Sequence, residues 1–375
     1  MSRAALLAIG LALGLVGCGR LGFGDTESHD AGDANDTPPV PASICHVDRL
    51  PLTGLPAAVD LAITGTSEGY AAVWVDTAGG APAHGVLLGP NRSLAASLAM
   101  PDIKDSRLGG VTDAGQKLVL SSGSATAQTT WIVSRDLATA ASESTLANNV
   151  MAHGPFPSDS SQSPRVFVSA TGKTLSAAYI GDDGVINTAS TVNRGTSGEV
   201  TDVACADGPN HSHCAFAEAL ATINGASQCT ATDVQLMPVP GIPGGPVLSA
   251  DCYNVRTSSG PDVADSMIVV WTTADHRVEA RYVGGGGLDT MPHDIAPAGS
   301  APKVQFDGAR FWIAWLDGQD VLQLSSFDLN SRIVNYALPG WVPLGGEAFE
   351  LVRRGNETGL VLLSPAGLEF LTICT

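Results

Sequence analysis

An all-β chain built from repeated strand units is what this sequence predicts, on three observations. Charged residues make up only 15% of the 375 residues while glycine (43) and proline (23) are abundant, a composition that interrupts helices and punctuates strands and turns. Seven nearly continuous apolar strands recur, each preceded by a short polar turn and followed by a strand in which apolar and polar residues often alternate. The cysteines stand where they could tie such units together, one just before the first unit and one in the last strand.

The first 17 residues lie outside that fold. One positive charge, Arg3, precedes a run from Ala4 to Val16 of Ala, Leu, Ile, Gly and Val, too short to remain as a spanning helix and typical of a secretion signal. The residues Leu15, Val16, Gly17 and Cys18 that close it resemble the lipobox of bacterial lipoproteins. The resemblance implies that Cys18 becomes the lipidated first residue of the mature chain, held by acyl chains such as palmitate, each buried methylene contributing roughly 0.8 kcal/mol. Gly19 follows where an Asp would imply retention at the inner membrane, so the expected location is the outer membrane, on either its periplasmic or its outer face. Residues 18–43 carry Asp25, Glu27, Asp30, Asp33 and Asp36 among Gly, Ala, Thr and Pro, the composition of a solvated tether. The domain proper is expected over 44–375.

Within it the apolar markers are 71–75, 117–120, 175–180, 214–217, 267–271, 311–315 and 359–363. Each follows a turn rich in Gly or Asp, as at Asp113-Ala114-Gly115 or Phe306-Asp307-Gly308. The strands after them are 84–88, 129–134, 185–192, 229–237, 277–283, 321–327 and 368–374. A middle strand apolar on both faces belongs to a sheet covered on each side, and an alternating strand to a sheet whose other side meets water. Seven markers over residues 45–375 give one unit about every 47 residues, the size of a propeller blade. The prediction is a seven-bladed β-propeller, its ring closed by N- and C-terminal strands, with residues 44–52 completing the last blade. A pair of β-sandwiches or an all-β solenoid would use the same strand spacing.

Of the seven cysteines, six remain once Cys18 is lipidated, and an even number in an exported chain reads as disulfides. Cys45 with Cys374 would staple the chain's ends; Cys205 with Cys214 would bridge a hairpin; Cys229 and Cys252 remain as the third pair. The domain resembles β-propellers in general without the signatures of the named families. It has no tryptophan-aspartate repeat, no aspartate boxes of sialidases and no regular tryptophan docking motif of quinoprotein propellers, the group to which the propeller lipoprotein of the barrel-assembly machine is similar.

Chemistry is sparse. The net charge of -18 disfavours nucleic acid and anionic head groups as partners. His211-Ser212-His213 lacks a third metal ligand, the run Gly284 to Gly287 lacks the Lys-Ser/Thr and helix of a phosphate loop, and no nucleophile motif is present. No cofactor or metal is expected. Asp76, Asp182, Asp183, Asp275, Asp317 and Asp320, with His276, fall in the connections between middle and third strands and would surround one mouth of the ring. Residues 148–164, 238–246 and 284–302 read as long loops on the same face, with Met151, His153, Phe156, Met291 and His293 as adhesive side chains. Deleting 286–298 is expected to abolish binding there without unfolding the ring. The sequence thus favours an envelope lipoprotein that binds a protein or glycan through this face, a scaffold rather than an enzyme. Two alternatives stand beside it: a carbohydrate-active hydrolase or lyase using mouth carboxylates, which need no local motif, and a periplasmic assembly factor for other envelope proteins.

Overall fold

The computed structural model describes residues 44–374 apart from 53–57, 77–81, 101–102, 104–106, 114–116, 124–127, 138–139, 144–150, 154–164, 172, 181–185, 196–197, 208–211, 220–226, 235–246, 251, 260–266, 285–286, 289–290, 329–331, 337 and 339. The described residues form strands and turns with no helix. Strands are numbered in chain order. β1 (Ile44–Leu50) stands apart from its sequence neighbours. A first sheet follows from β2 (Ala58–Thr66), β3 (Gly69–Asp76), β4 (Ala83–Leu88) and β5 (Leu94–Met100). The second holds β6 (Arg107–Asp113), β7 (Lys117–Gly123), β8 (Gln128–Ser134) and β9 (Ala140–Glu143). In the third are β10 (Met151–His153), β11 (Arg165–Thr171), β12 (Thr174–Ile180) and β13 (Ile186–Gly195); in the fourth β14 (Glu199–Asp207), β15 (Ser212–Ala219), β16 (Ser227–Val234) and β17 (Val247–Ala250). The fifth has β18 (Cys252–Ser259), β19 (Met267–Thr273), β20 (Val278–Gly284), β21 (Gly287–Leu288) and β22 (His293–Ala296). The sixth has β23 (Ser300–Phe306), β24 (Arg310–Leu316), β25 (Leu322–Asp328) and β26 (Ile333–Tyr336). The seventh takes β27 (Phe349–Arg354), β28 (Glu357–Ser364) and β29 (Gly367–Ile373), and β1 joins it by pairing antiparallel with β29.

Sheet interiors explain the strand types. Every residue of β3 and of β19 is buried, because each of these strands is covered by a neighbouring sheet on both faces. On β3 the side chains of Tyr70, Ala72 and Trp74 join a core with Val361, Leu363 and Phe370 of the seventh sheet, while Ala71, Val73 and Val75 join one with Leu118 and Leu120 of the second. Alternation of side chains across the strand makes both possible. First strands carry the contacts from sheet to sheet: β2 with β6, β6 with β10, β10 and β11 with β14, β14 with β18, β18 with β23, β23 with β27, and β27 with β2 again.

The ends of the domain are joined covalently as well as by hydrogen bonds. Cys45 in β1 is disulfide-bonded to Cys374, with Cα atoms 5.7 Å apart and a sequence separation of 329. Arg92, in the turn between β4 and β5, pairs with both Asp48 and Glu357 and lies over the Phe370 ring at 4.6 Å, locking the first sheet to the seventh. Cys214 and Cys252 are also in disulfides, and Cys205 stands opposite Cys214 in the β14–β15 register.

Three expectations need correction. Most units hold a fourth, outer strand beyond the three that the repeat suggested, such as the seven-residue β5 or the four-residue β26. The third sheet is built differently, with β10 beside β11, so the marker 175–180 occupies third place in its sheet order and Met151 and His153 lie in a strand instead of a loop. The stretch 284–302 is largely sheet: β22 pairs with β20 on the edge of the fifth sheet, and β23 begins at Ser300. Removing 286–298 would therefore strip an edge strand, against the expectation that the deletion leaves the domain intact. His293, placed by β22, packs its ring on Phe327 at 5.1 Å, while Met291 is exposed. Phe156, most of 148–164 and all of 238–246 lie outside the described residues.

Candidate functional site

The sequence marked the connections between second and third strands, and there most carboxylates serve the turns themselves. Asp317 Oδ1 accepts from the backbone N–H groups of Gln319 and Val321, at 2.9 and 3.0 Å, and its Oδ2 accepts from Gln323 Nε2 at 2.8 Å. Asp320 sits in the same turn with φ 59°. Asp275 accepts from Thr273 and Arg277, hydrogen bonds that hold its carboxyl below the usual range. His276, at φ 63°, meets the Tyr253 hydroxyl through Nδ1 at 2.9 Å. Asp182 and Asp183 lie outside the described residues. Asp76 is different: it is buried, and burial raises its pKa with His84 opposing the rise.

Side chains of opposite sign converge elsewhere, on the first strands. In five sheets the first strand carries a β-bulge near its beginning, between Ala58 and Asp60, Leu108 and Gly110, Val200 and Asp202, Tyr253 and Arg256, and Ser300 and Lys303. A bulge re-aims the side chain beside it. The residues so placed are Asp60, Gly110, Asp202, Arg256 and Lys303, one per sheet. Pairing of Asp60 with Val75, one residue before Asp76, puts this level beside the connections marked from sequence.

Glu347 completes the group from the connection that leads into β27. Its backbone bridges β2, with Leu61 N–H donating to Glu347 O and Glu347 N–H to Val59 O, both at 3.1 Å. Gly345 permits the approach, since a Cβ there would come within 2.7 Å of Ala58 O. Lys303 Nζ then reaches Glu347 Oε2 at 2.8 Å and Glu350 Oε2 at 3.4 Å, and Arg256 reaches Glu347 Oε2 and Asp202 Oδ2, each at 3.5 Å. The two acids on bulges also serve the next sheet. Asp60 Oδ2 accepts the Leu108 N–H and Asp202 Oδ2 the Val255 N–H, both at 2.7 Å.

Proton affinities follow the geometry. Burial and the Glu347 carboxylate push Asp60 up to about 7, against the pull of Lys303, the Leu108 N–H and Arg256. Glu347 feels burial too, but Lys303 and Arg256 outweigh it and hold its carboxyl below the usual range. Burial of Lys303 and Arg256 is in turn overridden by carboxylates, Glu347 foremost, which keep both firmly protonated. Among the described residues no group of three or more His, Cys, Asp or Glu is arranged to hold a metal ion.

Known structures can now be set beside this arrangement. The WD40 domain of coronin from Toxoplasma gondii superposes with a TM-score of 0.51, covering 88% of this chain and 87% of that one at 9% identity. The fold is a β-propeller. Two other structures are more distant: the propeller domain of the Trilobed protease from Pyrococcus furiosus (TM-score 0.49, 9% identity, 84% of this chain and 94% of that one) and the six-bladed fucose-recognising lectin from Aleuria aurantia (0.45, 10%, 78% and 100%). No protein-family model and no curated protein matches the sequence. In this propeller, the charged set on the first strands escaped the sequence reading because its members stand about 50 residues apart or more, one to a strand. The signal was present as a charge early in the first strands of the first, fourth and sixth sheets, in Ala58-Val59-Asp60-Leu61, Val200-Thr201-Asp202-Val203 and Ala301-Pro302-Lys303-Val304.

Proposed function

We propose that this chain is an outer-membrane lipoprotein, anchored through a lipidated Cys18 and an acidic tether, whose seven sheets are the blades of one ring and whose charged mouth docks a protein or glycan. Return of the first-strand contacts to β2 and the pairing of β1 with β29 support the ring. One observation carries the binding role: Asp60, Asp202, Arg256, Lys303, Glu347 and Glu350 form a fixed pattern of both signs at one end of the first strands. Patterns of that kind select partners and orient them.

A photocrosslinking residue tests it. Gly346 and Gly318 have nothing within 4 Å of an added Cβ, and both lie at the end of the sheets where the charges converge. Glu68 is exposed in the β2–β3 hairpin at the opposite end. Crosslinking on intact cells should give a specific adduct from positions 346 or 318 and none from 68, and Cys18→Ser should release the chain from the membrane fraction. Equal capture from both ends, or retention of Cys18→Ser, would overturn the corresponding half of the proposal. Proteinase digestion of intact against lysed cells then decides which side of the membrane the mouth faces.

Asp60 and Glu347 also support a second reading, hydrolysis or lysis of a glycan, because neighbouring carboxyls with divergent proton affinities are the groundwork of acid–base catalysis. That reading requires Asp60→Asn to abolish turnover of a glycoside substrate while leaving its binding intact.

A further inference from the structure

Three tryptophans hold the same place in three sheets. Trp74, Trp271 and Trp315 lie late in the second strand, opposite His84, Glu279 and Gln323 of the third, and two residues later come Asp76, Thr273 and Asp317. In the fifth sheet the Trp271 indole N–H donates to Glu279 Oε2 at 3.1 Å, and the Thr273 hydroxyl accepts the Arg277 N–H at 3.0 Å. In the sixth, the Asp317 carboxylate is fully engaged by its own turn and Gln323. The first sheet leaves both groups buried and unpartnered among the described residues. Trp74 is 3% exposed and Asp76 7%, yet Trp74 Nε1 and Asp76 Oδ1 have no hydrogen-bond partner among the described residues. Where Glu279 would accept, the half-buried His84 instead stacks on the indole, with ring centroids 5.5 Å apart and planes 13° from parallel.

We propose that Trp74, Asp76 and His84 form a binding site for a hydroxyl of a sugar or polyol, on the face of the first sheet that packs toward the seventh. A buried, unpartnered donor and acceptor on one strand face define the ligand class. An anion would be repelled by the carboxylate, and a cation would leave the indole N–H unmet; a hydroxyl donates to Asp76 and accepts from Trp74 at once. The partly exposed imidazole supplies a flat surface beside which a pyranose ring can lie. This deepens the docking role proposed above and rests on it, naming the ligand as a glycan and one place where it is held.

The test is titration of the ¹⁵N-labelled protein with methyl glucoside, methyl mannoside, methyl galactoside and glycerol, following the Trp74 indole resonance, assigned through its loss in Trp74→Phe. A saturable shift with one of these ligands is expected. Binding followed by calorimetry should weaken about tenfold or more, about 1.4 kcal/mol, in Trp74→Phe and in Asp76→Asn. The Trp271 resonance reports whether each variant is folded, and Trp74→Phe keeps the question open should Asp76→Asn fail to fold. A Trp74 resonance that none of the four ligands moves means that the open pair holds a buried water only, and overturns the site; so does unchanged affinity in folded Trp74→Phe. Crosslinking from position 346 with a silent Trp74 would discard this site and leave the docking mouth standing.

Discussion

Asp60 and Asp202 occupy the same place in the first and fourth sheets, each after a bulge and each accepting a backbone N–H from the sheet that follows, yet they live in different electrostatic surroundings. Asp202 has the Arg256 guanidinium at 3.5 Å on the next first strand. Asp60 has Gly110 at the corresponding position of its own next strand, and its nearest charged neighbour by backbone pairing is another acid, Glu347. A repeated fold therefore repeats positions without repeating chemistry. What the following sheet presents decides whether a buried acid becomes half of an ion pair or keeps a proton.

Three substitutions break or sharpen that contrast, in descending order of effect. Lys303→Met removes the buried cation that links Glu347 and Glu350 and leaves Glu347 with Arg256 alone; thermal or denaturant unfolding should show a loss of about 3–5 kcal/mol. Asp202→Ala strips the Val255 N–H of its acceptor and Arg256 of one carboxylate, and about 2–3 kcal/mol should be lost in the same measurement. Asp60→Asn keeps an acceptor for Leu108 and replaces a carboxyl that holds its proton in the folded chain, so near pH 4 the change should stay within about 1 kcal/mol.

The last variant also carries a pH signature. Asp60 holds its proton in the folded chain up to about 7, while in the unfolded chain it ionises near the ordinary 3.8. Between those values the folded state binds the extra proton, so this group's contribution to stability falls as pH rises from about 4 to about 7 and is flat above. Stability curves of Asp60→Asn and the parent, measured across that window, should diverge in favour of the variant as pH rises. Parallel curves would show that Asp60 ionises normally in the folded protein.

The parts of this architecture that were legible in the sequence are those governed by local burial. Runs such as Met267–Thr273 or Arg310–Leu316 are apolar on both faces because a sheet covers each side, and that requirement leaves its mark residue by residue. Edge strands leave little. β21 is two residues of a glycine-rich stretch, and β22 begins with His293 and Asp294, so four glycines in a row suggested a loop where the chain pairs with β20. The charged cluster was illegible for another reason, since Asp60, Lys303 and Glu347 meet only through packing of sheets remote in sequence. Likewise the contrast between Trp74 and Trp271 depends on the residue across the strand, His84 against Glu279, which shows only once the register is known.

The position of Cys45 has a mechanical consequence. A pull on the chain from before Ile44 would load β1 at its end, the geometry in which an edge strand peels away one hydrogen bond at a time and offers least resistance. Cys45 is the second residue of that strand, and its bond to Cys374 diverts the load into the C-terminal end of the chain almost at once. The strand is spared unzipping; the force is shared by two backbone ends and must shear the seventh sheet instead of opening it.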